Sequence, residues 1–439
     1  MNDDNPSNDG EPTIEHTNSP LSRRALLGAS AAATISLAGC LSDEADEADD
    51  GGTTDDDAAD DGGPEETQSF DELPVVEDPP DKVYKPTHRE PFVHLEMVEA
   101  GEYMLLPHFT YPHQFWLMSG AEAVEERPTV EDSMHLMVAF WDSETGAILP
   151  VDAGAEMVIT QDGEQVGEPV APWPMLAQEM GFHFGDNVAV PDDGTYTVEL
   201  TMNPIGVRKT GAFEGRFEET VNATFELEYS DQQRQELLAN TEFLDEDEWG
   251  EPGALEPTDH GDHDHDEHES GDHGGHGDDS HEHGDDDSHE HSDEDGHEHG
   301  NDDGHGSHDI PSPSLPPAEE YPGQDLGTHT SGDAAFVVRY LEGTRLADEG
   351  ENYLLVSPRT PHNRFPLPDM SLSVDGDVEA ELVQTLDSDQ GHHYGASVTL
   401  EPGDEFDLIV ESPPQVARHQ GYETAFIEMP PMTVEVPDE

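Results

Sequence analysis

Apolar and polar residues alternate with period two along Thr195-Tyr196-Thr197-Val198-Glu199-Leu200 and again along Thr224-Phe225-Glu226-Leu227-Glu228-Tyr229. Phe406, Leu408 and Val410 repeat the pattern near the C-terminus. Such alternation belongs to half-buried antiparallel strands. No long stretch repeats at 3.6 residues, and only Asp231 to Asn240 reads as a short helix. Short apolar runs broken by Gly, Pro and Asp fill residues 84–240 and 325–439. The expected fold is all-β, with two β-sandwich domains over those ranges.

The remainder lacks the means to build a core. Residues 41–83 are Asp, Glu, Gly, Thr and Pro with little to bury, and read as a disordered acidic tether. Residues 241–324 read as a disordered acidic, His-rich linker. Its centre, 258–308, holds 14 of the 26 histidines and 20 acidic residues, with no Lys or Arg. Units such as Asp262-His263-Asp264-His265 and His281-Glu282-His283 recur there without strict period. Neutral imidazole and carboxylate suit zinc, copper, nickel and iron, so this tract is expected to bind several exchangeable ions. His263, His265, His281 and His283 are named as candidate ligands, with zinc a further candidate cargo beside iron(II) and copper.

The formal charge is −89, from 104 acidic and 15 basic residues. A polyanion lacks the cations that phosphate contacts need, which argues against nucleic acid as a partner. Anionic lipid surfaces repel it too, so membrane attachment requires an anchor. Scarce lysine and pervasive acid suit a salt-adapted surface, where screening lengths are short. The N-terminus supplies the anchor. Ser22-Arg23-Arg24-Ala25-Leu26-Leu27 resembles a twin-arginine export signal, and Leu37-Ala38-Gly39-Cys40 looks like a lipobox. Residues 1–40 are therefore expected to be a lipoprotein signal, with Cys40 lipidated. The expected location is the cell surface, on the outer face of the cytoplasmic membrane. Cys40 is the only cysteine, which leaves no thiolate for catalysis, disulfides or a blue-copper centre. No phosphate loop, nucleophile elbow or zincin helix is present, and no enzymatic activity is expected.

The two folded ranges echo one another. His183-Phe184-Gly185-Asp186-Asn187-Val188 parallels His393-Tyr394-Gly395-Ala396-Ser397-Val398. Tyr103-Met104-Leu105-Leu106 with Tyr111-Pro112-His113 is also similar to Tyr353-Leu354-Leu355-Val356 with Thr360-Pro361-His362. Outside the tract, the candidate ligating side chains of the first range are Met134, His135, Met137, Met175, Met180, His183 and Met202. Thioethers with imidazoles and no thiolate favour copper among soft metals, while nearby carboxylates admit ferrous iron. The competing explanation for each methionine is core filling.

His135-Leu136, Met175, and His183-Phe184-Gly185-Asp186-Asn187-Val188 followed by Pro191, Gly194, Tyr196 and Val198 resemble the periplasmic ferrous-iron transport protein family. These are high-affinity iron/copper-binding proteins related to the treponemal membrane antigen; here the pattern stands in a lipoprotein of haloarchaeal type. The resemblance implies immunoglobulin-like sandwiches, metal held by His and Met, homodimerisation, and work beside a membrane permease. A further family histidine has no counterpart after the first His-aromatic-Gly motif, where Arg208-Lys209 stands. In the second range His419 follows His393 at that position, so His393 and His419 join His135, Met175, Met180 and His183 as candidate metal ligands. Met370 is the stand-in expected for His135. The expected function is capture of iron, or copper, outside the membrane for uptake. The alternatives are a copper or zinc buffer, a copper carrier, and a structural surface lipoprotein with an incidental tract. Asn222-Ala223-Thr224 matches an N-glycosylation acceptor.

Overall fold

The structure, a computed structural model, describes residues 73–258 and 310–438. Cys40 and the tract histidines, His263, His265, His281 and His283 among them, lie outside the described residues. The fold is all-β, with two sandwiches. In the first, one sheet runs in the order Val93–His94, Tyr103–Thr110, Met134–Asp142, Gly181–Val188, Trp173–Ala177. Facing it are Val221–Tyr229, Gly194–Met202, Glu156–Gln161 and Glu164–Val170. Met134, Leu136, Val138 and Phe140 point into the core between the sheets and meet Val198, Leu200, Phe225 and Leu227. Because side chains alternate, His135, Met137, Ala139 and Trp141 lie on the opposite face of the sheet.

That outer face is buried as well. Residues 83–92 and 419–423 cover it, tied down by Tyr84 N–H to Gly421 O at 3.2 Å and Gln178 Nε2 to Tyr84 O at 2.7 Å, with Phe92 packed on Met137 and Met180. A strand covered on both faces loses the polar half of its alternation, which explains the apolar run Met134 to Trp141.

The second sandwich repeats the plan. Gln324–Ser331, Ala334–Leu341, Asn352–Arg359, Gly391–Val398 and Ala380–Asp387 pair in that order, and Ser371–Gly376, Glu405–Ser412 and Met432–Glu435 continue the pairing from Ala380–Asp387. Their apolar faces enclose a second core that includes Phe336, Val356, Leu372, Leu408 and Val434. Each sandwich then lends a short strand to the other. Ala417–Arg418 pairs parallel to Trp173–Ala177, and Arg208–Thr210 pairs parallel to Ala380–Asp387. The exchange closes two sheet edges that would otherwise expose unpaired backbone. It is reciprocal, as in the contact between two identical copies related by a twofold axis.

The structure corrects three expectations. Residues 241–258 and 310–324 are packed rather than disordered. Glu242–Phe243 pairs with His88–Arg89, and Leu255, Leu315 and Tyr321 are buried. Isolated apolar residues in acidic surroundings carry no period, yet each fills a slot. At the end of the acidic tether, Val83 is likewise buried. Lastly, the strand Tyr103–Thr110 corresponds to Ala334–Leu341. The match of Tyr103-Met104-Leu105-Leu106 to Tyr353-Leu354-Leu355-Val356 is therefore one strand out of place. The helix Asp231–Ala239 forms, capped by the Ser230 side chain accepting from Gln233 N–H.

Candidate metal centre

On the outer face of the first sheet, three rows of side chains lie side by side. His135 stands between Thr110 and Asn187, Met137 between His108 and Gly185, and His183 is the cross-strand partner of Met175. Gly185 thus sits diagonally between His135 and Met175 and carries no side chain. A Cβ placed on it would lie 2.8 Å from His135 Nε2, 3.0 Å from Met175 Sδ and 3.2 Å from Met137 Cγ. The imidazole and the thioether therefore converge on one point above the glycine. His419 arrives from the exchanged strand, its N–H donating to Leu176 O at 3.1 Å. His113 arrives from the turn that follows Tyr103–Thr110. Ring centroids are 4.2 Å apart for His113 and His135, 4.8 Å for His113 and His419, and 5.2 Å for His183 and His419.

The structure therefore brings together His135, Met175, His183 and His419 and adds His113, whose only mark in the sequence is the Tyr111-Pro112-His113 turn. The ligand nitrogens of His113, His135 and His419 lie within 4.8 Å of one another. Three points so spaced lie within 4.8/√3, about 2.8 Å, of a common point, against about 2.0–2.1 Å for a metal–imidazole bond. An inward shift of under an ångström per ring makes the cage.

Three of the rings are held so as to offer the same atom. His113 Nδ1 donates to Tyr111 O at 3.3 Å, and His183 Nδ1 to Gly181 O at 3.2 Å. His135 Nδ1 donates to Asn187 Oδ1 at 3.0 Å, and the Asn187 amide is fixed by its Nδ2 donating to His113 O at 2.9 Å. With the proton committed at Nδ1, Nε2 carries a lone pair. Nε2 of His113, His135, His183 and His419 is buried in every case and meets no hydrogen-bond partner. Four unpartnered buried imidazole nitrogens in one place cost folding energy unless a cation is bound. Burial holds all four neutral, and repulsion from neighbouring rings adds to it at His135, His183 and His419. His113 and His183 are pulled down to about 4 by burial, and His135 and His419 well below the usual histidine value. Beside them Glu90 Oε2 lies 3.6 Å from His113 Nδ1, its carboxyl pushed up to about 7 by burial. Arg418, fully buried, donates to the carbonyls of Pro414, Tyr422 and Ala425 and so gathers the loop that presents His419.

Met180 does not join this cage; its Sδ lies 3.3 Å from His108 Nε2. His393 does not join it either. The pairing of Gly395 with Leu355, against Gly185 with Met137, makes Tyr353 the counterpart of His135. By the same registers Thr385 replaces Met175, His393 matches His183, and Thr210 replaces His419. The Tyr353 ring occupies the space above Gly395, and its hydroxyl lies 3.3 Å from His393 Nε2. The Arg208 guanidinium stacks 5.6 Å from that ring. A cation there would meet a guanidinium, so this half does not fit a metal. Met370, expected in place of His135, packs in the second core, its N–H donating to Tyr394 Oη at 2.8 Å. The Tyr substitution hides the true counterpart, because tyrosine also reads as strand core.

A family profile described as "Domain of unknown function (DUF7350)" matches residues 319–435, the second sandwich. No curated protein matches the chain. Among solved structures, as-isolated FetP from uropathogenic E. coli strain F11 is similar over 32% of this chain and 97% of its own, at 18% identity and a TM-score of 0.26. A copper-bound Glu-to-Gln variant of FetP aligns over 32% of this chain and 92% of its own, at 17% identity and a TM-score of 0.26.

Proposed function

We propose that this chain is a metal-binding protein, not a catalyst, whose cargo is held by His113, His135, Met175, His183 and His419. One observation carries the reading: the buried Nε2 atoms of four neighbouring histidines have no hydrogen-bond partner, and that of His135 meets the Met175 thioether above Gly185. Imidazole and thioether donors favour copper over iron, and the Glu90 carboxylate meets His113 at Nδ1 rather than at the Nε2 offered to the cage. Copper is therefore the first candidate and iron(II) the second, with zinc a cargo of the tract. The export signal and Cys40 support a lipid-anchored protein on the outer face of the membrane. There the tract at 258–308 would concentrate ions beside the cage. Delivery to a permease rests on the resemblance of His135, Met175 and the His183 motif to the ferrous-iron transport family.

The test is anaerobic titration of the chain with cuprous, cupric and ferrous ions, with and without residues 258–308. One tight equivalent should survive removal of the tract and disappear in His135→Ala and His183→Ala. Equal tight binding in parent and cage variants would sink the proposal. Cells lacking the protein that take up metal at the normal rate would count against delivery.

A further inference from the structure

A second soft-donor pair lies on the same sheet face. His108 is 2% exposed and Met180 6%. His108 Nδ1 is 3.2 Å from Leu106 O, and Nε2 is 3.3 Å from Met180 Sδ. A neutral imidazole carries one proton, so one of its nitrogens faces an acceptor with a lone pair. The carbonyl is the better acceptor, which turns the Nε2 lone pair toward sulfur. Metal–nitrogen bonds of about 2.0–2.1 Å and a metal–sulfur bond of about 2.3 Å at a tetrahedral angle separate N and S by roughly 3.5 Å. The observed spacing is close to that. His94, exposed on the neighbouring strand, has its ring 5.7 Å from His108. On the inner side, Met137 packs with Met180 and also borders the point above Gly185.

Two crevices reach the pair. One is lined by Phe92, Met180, Glu90 and His419, and so adjoins the cage. The other is lined by His108, Met180, Trp141, Ile310 and Pro311. We propose that His108 and Met180, flanked by His94 and Met137, form a second cation site selective for a soft monovalent ion of the cuprous class. It stands between the surface and the cage. Neither donor is shared with the cage, so the site stands whether or not the cage is loaded. The competing account, sulfur packed against an aromatic ring, predicts no response to metal.

The experiment uses the full chain with carbon-13-labelled methionine methyls and silver(I) as a redox-inert probe, followed by NMR. The Met180 methyl should shift on its own saturation curve, separate from that of Met175. The Met180 shift should persist in His135→Ala and vanish in His108→Leu. Should His108→Leu fail to fold, Met180→Leu, which conserves volume, should remove one bound silver while leaving the Met175 response intact. A Met180 methyl that stays unmoved while Met175 saturates would overturn the proposal. So would a Met180 shift that disappears together with that of Met175 in His135→Ala. A Met180 response without any Met175 response would instead support this site and count against the cage.

Discussion

Gly185 shows how a cage is made by leaving something out. Its backbone is ordinary strand, so an alanine there meets no conformational penalty, but the new methyl would press on His135 Nε2 and Met175 Sδ. Gly185→Ala is expected to keep the fold and to weaken metal binding about 100-fold, as losses of supporting geometry around a metal do; competition with a chromophoric chelator measures it. An affinity within twofold of the parent would show that the ion sits elsewhere. Burial gives the same residues a distinct response to acid. The cage imidazoles stay neutral down to about pH 4, where His113 and His183 begin to charge. A solvated imidazole in general charges through about 6.5, and an imidazole must be deprotonated to hold a metal. Dialysis at pH 5 should therefore strip the tract and leave about one equivalent in the cage. The histidine part of stability moves in the matching direction. Between about pH 6.5 and 4 the unfolded chain binds protons on these histidines and the metal-free native state does not, so the histidines take stability away as pH is lowered through that window. Glu90, Glu179 and Asp186, pushed up to about 7 by burial, contribute in the opposite sense. Denaturant midpoints of chelator-treated parent and His183→Ala at pH 7, 5.5 and 4.5 isolate the histidine part: the variant should lose less stability than the parent as pH falls.

At the scale of elements, the strands that pack a core are legible and the strands that build the site are not. Period-two alternation announces Gly194–Met202 and Val221–Tyr229 because one face is wet. Ala417–Arg418 is two residues long and carries no alternation; its place is set by an edge some 240 residues earlier in the chain. His135, Met175, His183 and His419 stand out by their chemistry. Only the strand exchange brings His419 to the first sandwich rather than to His393. His113 is hidden because a histidine after proline in a turn reads as surface. Arg418 carries the exchanged element, since its guanidinium satisfies carbonyls that the loop cannot satisfy itself. Arg418→Met should destabilise the protein by roughly 3 kcal/mol or more, as buried carbonyls lose a charged donor, and should weaken metal binding as His419 loosens. His419→Ala separates the two effects: affinity drops while the unfolding midpoint holds or rises, because one orphaned nitrogen is gone. A fall in midpoint for His419→Ala equal to that for Arg418→Met would assign the histidine to the fold instead of the cargo.

The whole molecule behaves as a dimer of sandwiches written in one chain, with one of its two equivalent sites closed. Both halves keep the glycine, Gly185 or Gly395, and the histidine two residues before it. They differ at His135 against Tyr353, Met175 against Thr385, His419 against Thr210, and Ala417 against Arg208. The closed half is held by polar contacts in place of a cation. Thr210 Oγ1 donates to Asp387 Oδ2 at 2.6 Å, and Arg345 donates to both Asp387 oxygens, holding that carboxyl down to about 2. If the shared plan determines metal binding, the closed site can be reopened by chemistry alone. Tyr353→His, Thr385→Met, Thr210→His and Arg208→Ala together restore three donors around His393 and remove the guanidinium. The variant should bind one more copper equivalent than the parent, more weakly than the first cage, since the turn after Ala334–Leu341, the counterpart of the one that carries His113, holds no histidine. X-ray absorption on tract-deleted protein would read an added imidazole–thioether shell. A folded variant with the parent's stoichiometry would mean that the reciprocal strand exchange is a device of stability alone. Metal binding would then depend on the covering segment at 83–92 as much as on the sheet.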